Sequence, residues 1–313
     1  MYGWAERGSI MKNVLVIGGS YFAGRVFVEE LSKESGYRIY ALNRGSRPLD
    51  MEGVTEIICD RNNAARLKEN IPSEKWDAVV DFCAYYPNDI EGMLSALSRH
   101  DVGQYIYIST SSVYKETLAI PVMEDAPKLA ETQPELGAYS DYAFNKWRSE
   151  VRLMELCAGM NIPYTSLRPA IIYGKYNYAP RESYFFDLIH QNKTVALPDN
   201  PLPLFTFVSV WDVAKITIAC IGNEKVFDRA FNLAAPDLVS YRRLVDVLGE
   251  IMEKKIRVRN MSVKAIDERK IPLPFPLDNH LIYSGALIRQ VLGIEYTPFA
   301  EGMRKTWQYY SVP

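Results

Sequence analysis

Between Lys12 and Pro169, short apolar runs alternate with amphipathic stretches, and this alternation limits the possible fold more than any other feature. The runs are Asn13–Ile17, Arg38–Leu42, Glu56–Cys59, Ala78–Phe82, Tyr105–Ile108 and Tyr164–Leu167, and their centres are bare of charge. Such strands must be covered on both faces, or apolar side chains would stand in water. Helical candidates fill the gaps at Phe22–Lys33, Asn62–Glu69, Asp89–Ser98 and Asp141–Cys157. Parallel neighbours need a crossover, so strand–helix alternation predicts an α/β fold with a doubly wound parallel sheet. Right-handed crossovers then bring the carboxyl ends of the strands to one edge, where function is expected.

After Pro169 the pattern loosens. Residues 173–203 are rich in Tyr, Pro and Asn, and Ile271–Pro276 carries three prolines, which excludes regular helix or central strand there. Residues 174–204 and 236–313 are expected to form a smaller C-terminal substrate-binding lobe. A strand–helix unit, Phe205–Val210 then Trp211–Ile221, is expected to bring 205–235 back to the main domain at 12–173. Residues 1–11 have no apolar core of a signal peptide and are expected to be a disordered N-terminal extension.

Bulk properties exclude several classes. With 36 basic and 38 acidic residues the net charge is -2, which argues against a nucleic-acid partner. No apolar run approaches the ~20 residues of a membrane-spanning helix, so no membrane partner is expected. Cys59, Cys83, Cys157 and Cys220 are widely spaced in apolar surroundings, as free thiols of a reducing, cytoplasmic location would be. His100, His190 and His280 are also far apart, and no metal-ligand spacing exists.

The strongest local signal is Val14–Gly24, where a buried strand runs into glycines and then a helix near Phe22. Gly18 suits the tight turn, and Gly24 lets the helix approach the sheet. The helix start then aims unpaired N–H groups and its positive end at a pyrophosphate. Gly18, Gly19, Ser20, Tyr21, Phe22 and Gly24 are therefore candidate contacts of a dinucleotide, and the fold is expected to be Rossmann-type. Tyr21 stands where the middle glycine of such a turn is usual. At the end of the second strand lie Asn43 and Arg44 where a ribose-binding acid would stand, which favours NADP over NAD because arginine suits a 2′-phosphate. Asp60 closes the third strand as an adenine contact or a helix cap.

A second constellation is Tyr142-Ala-Phe-Asn-Lys146. On a helix, positions i and i+4 share a face, so the ammonium and the phenol can meet over one pocket. There the ammonium is expected to lower the phenol's pKa and make it a proton shuttle for an alcohol. With 21 tyrosines about one such spacing arises by chance, so position decides. The strand Tyr105–Ile108 ends in Ser109-Thr110-Ser111-Ser112 some thirty residues upstream, putting hydroxyls at the same edge. Tyr173 begins an aromatic cluster with Tyr176, Tyr178 and Tyr184 and is a candidate substrate contact.

In order, G-G-S-Y-F-A-G, L-N-R-G, C-D-R, W-D-A-V-V-D, Y-I-S-T-S-S-V-Y, Y-A-F-N-K, L-R-P-A-I-I-Y-G and F-V-S-V-W-D-V-A make the chain resemble the extended short-chain dehydrogenase/reductases, the NAD(P)-dependent epimerase/dehydratase family. The resemblance spans about residues 12–235. It implies that Thr110, Tyr142 and Lys146 are catalytic, that Lys146 also holds the cofactor, and that Ser111 and Ser112 contact substrate. It implies an NAD(P)-dependent epimerase or reductase acting on a sugar-like alcohol, as in a nucleotide sugar, and a homodimer through the Asp141–Cys157 helix. The dehydratases of the family carry Asp-Glu where this chain has Ser111-Ser112, which argues against dehydration. The G-G-x-x-F-x-G turn resembles an atypical branch with chloroplast RNA-binding members. That leaves a non-catalytic NAD(P)-sensing or RNA-binding protein as the alternative.

Overall fold

The computed structural model describes residues 11–97 and 102–311. Most of the N-terminal extension expected at 1–11, together with His100, therefore lies outside the described residues. The first half runs β1 (Lys12–Ile17), α1 (Phe22–Leu31), β2 (Tyr37–Asn43), β3 (Val54–Ile58), α2 (Ala64–Asn70), β4 (Ala78–Asp81), α3 (Pro87–Ala96), β5 (Tyr105–Ile108), α4 (Tyr142–Met160) and β6 (Tyr164–Pro169). The second half runs β7 (Ile171–Tyr173), α5 (Glu182–His190), β8 (Val195–Pro198), β9 (Phe207–Ser209), α6 (Val210–Cys220), β10 (Arg229–Leu233), α7 (Tyr241–Met252), β11 (Val258–Met261), α8 (Val263–Glu268), α9 (Ala286–Leu292) and α10 (Phe299–Ser311).

Seven strands form one sheet in the order β10-β6-β5-β4-β1-β2-β3. Every pairing in it is parallel. This is the Rossmann-type doubly wound α/β sheet that the alternation predicts. Side chains alternate across it, as the pleat demands. Val14 and Val16 join a core layer with Val26 and Phe27 of α1 and with Val213 and Ile216 of α6. Leu15 and Ile17 face the other way, into a layer with Leu67, Ile90, Met93 and Leu153 from α2, α3 and α4. Strand order reverses between β1 and β4, and at such a point the crossovers diverge and leave a crevice beyond the carboxyl ends.

The expected unit at 205–221 forms as β9 and α6, but β9 pairs with β7 in a separate two-stranded ribbon. It is β10 that extends the main sheet, against β6. A further ribbon, β8 with β11, and helices α5, α7 and α10 enclose a second core, rich in Phe185, Phe205, Phe207, Tyr241 and Phe275. Helix α5 corrects the expectation that 173–203 excludes regular helix, because Glu182–His190 holds no Pro or Gly to break one. Among the described residues, no helix is long and apolar enough to cross a membrane.

Candidate active site

At the crevice between β1 and β4 lies a cleft of about 840 Å³. The turn after β1 forms one wall. Gly18 has φ +81°, a left-handed conformation that side chains other than glycine resist. A Cβ on Gly24 would lie 2.2 Å from the carbonyl oxygen of Gly18, so only glycine lets α1 start this close to the turn. The 10-residue α1 therefore presents its first turn, Phe22, Ala23 and Gly24, to the cleft. Gly19, between Gly18 and Ser20, does not itself line the cleft. It sits in the core, where a Cβ would meet Val28 at 2.9 Å and Val16 at 3.2 Å.

Asn43, at the end of β2, accepts the Ser20 N–H at 3.1 Å, while its own Nδ2 is buried with no partner. An unspent donor at the cleft wall is costly unless a ligand oxygen takes it. Arg44, Ser46 and Arg47 continue this wall, exposed to solvent. Asp60 also lines the cleft, and its carboxylate accepts the Asn62 N–H at 3.0 Å. Asn63, not Asp60, caps α2, by accepting from the Arg66 N–H.

The floor is built on a pair that sequence reading missed. Arg61 donates to both carboxylate oxygens of Asp81, at 2.8 and 2.9 Å, and to the Asp89 carbonyl at 2.8 Å. Tyr105 adds its hydroxyl to the same carboxylate at 2.7 Å. Burial pushes Asp81 up, but Arg61 and the surrounding donors prevail and hold its carboxyl below the usual carboxylate range. The C-D-R and V-V-D segments carried the only trace of this pair, since nothing local marks two charges twenty residues apart as partners.

The opposite wall carries the hydroxyl and the phenol. Thr110 follows β5 and caps the short turn Ser111–Val113, accepting the Ser112 N–H at 3.2 Å. Tyr142 opens α4 beside it. The residue is 40% exposed, yet burial around the hydroxyl pushes the phenol up, with Thr110 and then Arg181 acting against that rise. Lys146, one turn on, lies below at 2% exposure and donates to the carbonyl oxygens of Ala84 at 2.9 Å and Ile108 at 2.7 Å. Burial lowers its ammonium to about 8, against the pull of Asp81 and Glu150. The expected lowering of the Tyr142 pKa by Lys146 is thus corrected: both side chains line one cleft, but burial dominates at the phenol and two of the three ammonium donors go to backbone carbonyls.

Behind this wall, Glu150 of α4 holds Arg168 of β6 in a buried ion pair at 2.7 Å and accepts the Ser109 hydroxyl. Arg168 passes on to the Tyr114 hydroxyl at 2.9 Å, and Tyr114 donates to Asn232 of β10 at 2.6 Å. The network ties α4, the Thr110 loop and β10 into one unit.

Three substrate candidates do not line the cleft. Ser111 is buried toward the Tyr283 hydroxyl, because the turn after Thr110 points it inward. Ser112 is exposed and takes the Thr110 hydroxyl's hydrogen bond at 3.2 Å. Tyr173 is 2% exposed and packs edge-on against Phe207 and Phe299 in the core of the second lobe. Tyr178 of that aromatic cluster and Arg181 do line the cleft, as does Tyr85, which sequence reading left out. The Tyr85 ring stands 6.2 Å from that of Tyr142 and 5.4 Å from the Lys146 ammonium.

Residues 14–234 match the model of the NAD dependent epimerase/dehydratase family. The chain belongs to that family. Among its relatives, the chloroplast stem-loop binding protein of 41 kDa b of Arabidopsis thaliana is 25% identical over 299 residues, 90% of this chain and 74% of that protein. The UDP-glucose 4-epimerase of Corynebacterium glutamicum is 26% identical over 277 residues, 76% of this chain and 80% of the enzyme. The solved UDP-N-acetylglucosamine 4-epimerase of Methanobrevibacter ruminantium superposes with a TM-score of 0.78 at 19% identity, covering 96% of this chain and 98% of that one. The Thermus thermophilus UDP-glucose 4-epimerase, solved with NAD, gives 0.75 at 18% identity over 96% of this chain and 99% of that one. The two solved epimerases thus share the fold of this chain over 96% of its length.

Proposed function

We propose that this family member is an NADP-preferring oxidoreductase or epimerase acting on an alcohol of a nucleotide sugar. The observation that carries the reading is that the glycine turn, Thr110, Tyr142 and Lys146 all line one cleft at the switch point of the sheet. The cleft fits a dinucleotide by its own residues: the glycine cradle would be closed by a single Cβ, and the Asn43 amide is an unspent donor. Gly18, Ser20, Tyr21, Phe22, Gly24, Asn43, Arg44, Asp60 and Lys146 would hold it. When bound, its nicotinamide supplies the hydride acceptor and donor. On this reading residues 12–173 and 205–235 bind cofactor, 174–204 and 236–313 cover the substrate, and α4 offers a homodimer face.

The protein's own part is proton handling and orientation. Thr110 positions the substrate oxygen, and Tyr142 removes or returns its proton. The Lys146 ammonium, fixed by two carbonyls beneath, keeps positive charge near the site where negative charge develops. Ser111 and Ser112 supply no carboxyl group, so an acid and base for dehydration are missing at that turn. Four free thiols suit a cytoplasmic enzyme.

The test is a thermal-shift screen of NADP, NAD and UDP-sugars, followed by chromatography of any stabilising sugar nucleotide incubated with the protein. Stabilisation by a dinucleotide and appearance of an isomer or a reduced product is expected; stabilisation by none would sink the reading. Similarity to the stem-loop binding protein over 90% of the chain favours a second reading, RNA binding on the same scaffold. A salt-dependent gel shift of stem-loop RNA without turnover of any sugar nucleotide would select it.

A further inference from the structure

The segment 174–181 borders the cleft through Tyr178 and Arg181 and is pinned at both ends. Lys175 pairs with Glu29 of α1 at 2.8 Å, and the Tyr176 hydroxyl donates to the same carboxylate at 2.7 Å. At the other end the Asn177 amide donates to Glu182 at 2.9 Å and Arg181 donates to the Ile172 carbonyl at 3.1 Å. Between these pins Tyr178 reaches over the glycine turn. Its ring stacks on that of Tyr21, centroids 5.0 Å apart and planes within 17°, and meets the Phe22 ring edge-on at 5.8 Å. The Arg47 guanidinium lies 4.0 Å from the Tyr21 centroid. A second ring and a cation this close cannot share one face, so Tyr21 is sandwiched between them.

Three features set this stack apart from ordinary packing. Tyr21 and Tyr178 are 38% and 62% exposed, too open to be core. Tyr21 occupies the turn position where glycine is usual, so a side chain stands where a bare backbone would suffice. Phe22, the next residue, has φ +39°, a strained conformation for an aromatic residue that persists only where neighbours hold it. All four groups line the cleft that contains Tyr142.

We propose that Arg47, Tyr21 and Tyr178 form a latch that retains a pyrophosphate-bridged dinucleotide at the glycine turn, Tyr178 being a retention residue contributed by the second lobe. The inference rests on the dinucleotide reading above. A ligand seated against Gly18–Gly24 lies beneath the stacked rings and leaves only when they part. The latch therefore acts on departure more than on arrival.

The experiment measures dissociation of NADPH by stopped-flow fluorescence, displacing it with excess NADP, from the full chain and from Tyr21→Ala, Tyr178→Ala, the double variant and Tyr178→Phe. An aromatic pair plus a cation over its face corresponds to about a tenfold faster release in either alanine variant. The double variant is expected to release no faster than the single ones, because either substitution opens the same latch. Tyr178→Phe keeps the stacked ring and is expected to stay within about twofold of the parent. Unchanged release in Tyr178→Ala, or effects that multiply in the double variant, would overturn the latch while leaving the proposed function standing. A parent chain that binds neither NADPH nor NADH would overturn that function and the latch with it.

Discussion

Arg61 and Asp81 grip one another through two parallel hydrogen bonds beneath the cleft, with Asp81 wholly buried and Arg61 nearly so. The pair joins the loop after β3 to the end of β4. Its position also seats Cys83, whose Sγ would stand 2.9 Å from a Cβ on Gly18, so the glycine turn rests on what this pair holds in place. Removing one partner of such a pair leaves a buried charge uncompensated. Asp81→Asn is expected to lower the unfolding free energy at pH 7 by about 3–5 kcal/mol in urea titration. Because the folded carboxyl titrates below its unfolded value, its stabilisation is complete above about pH 4 and is lost only as pH falls through the lower folded value. The gap between the two proteins should therefore hold constant from pH 8 to 5 and narrow only in more acid solution. A gap that closes near pH 6 would refute the assignment.

Lys146 makes the opposite prediction. Its folded pKa, about 8, lies below the ordinary 10.5, so between these values the unfolded chain holds a proton that the folded chain has released. Through this residue, stability should rise with pH across that window. A shift of this size corresponds to roughly 3 kcal/mol at full extent. Comparing the ligand-free parent with Lys146→Met cancels the titrating groups that do not interact with this ammonium. The parent's stability relative to the variant is expected to increase between pH 8 and 10, and a flat difference would mean that the ammonium is not the group buried under the cleft.

Arg44 tests the choice of dinucleotide. It stands exposed on the wall beside Asn43, with Ser46 and Arg47 adjacent, and no carboxylate closes this strand end. Arg44→Ala is expected to weaken NADP binding about tenfold, as loss of a charge-assisted phosphate contact would, and to leave NAD within about twofold. Titration calorimetry with both dinucleotides checks it. Equal losses for the two would show that the arginine does not read the 2′ position.

The parts of this molecule that were visible in its sequence are those governed by local pattern. Six mostly apolar runs became β1 to β6, the inner strands β1, β4 and β5 being the most uniformly buried, while the edge strand β3 carries Glu56 at its centre and is only partly covered. The seventh strand, β10, escaped notice because it begins at Arg229 and carries Asn232 in its core. That asparagine is tolerated only because Tyr114, Val122 and Glu124 satisfy it from more than a hundred residues away. Tyr173 misled for a related reason: a strand of three residues has too little periodicity to say which face is wet. The i, i+4 spacing of Tyr142 and Lys146 correctly placed both on one cleft, yet it carries no information on where a long, flexible side chain spends its donors. The stack of Tyr178 on Tyr21 depends on a contact between residues 157 positions apart (178 minus 21), beyond any local pattern.

The decisive prediction concerns Tyr142. On the proposed reading, a phenol at the start of α4, within reach of Thr110 and open to the cleft, exchanges a proton with a substrate hydroxyl, and among the described residues no histidine lines the cleft to share that task. Tyr142→Phe removes the one exchangeable proton while preserving ring and packing, so stability and dinucleotide affinity should stay near those of the parent. Turnover of the sugar nucleotide found in the screen should fall at least about a hundredfold, the usual worth of a positioned acid–base group. Single-turnover absorbance at the reduced nicotinamide band would show whether the loss lies in the chemical step. Undiminished turnover in the phenylalanine variant would remove Tyr142 from the mechanism and shift the task to Tyr85, the other phenol within 6.2 Å ring to ring.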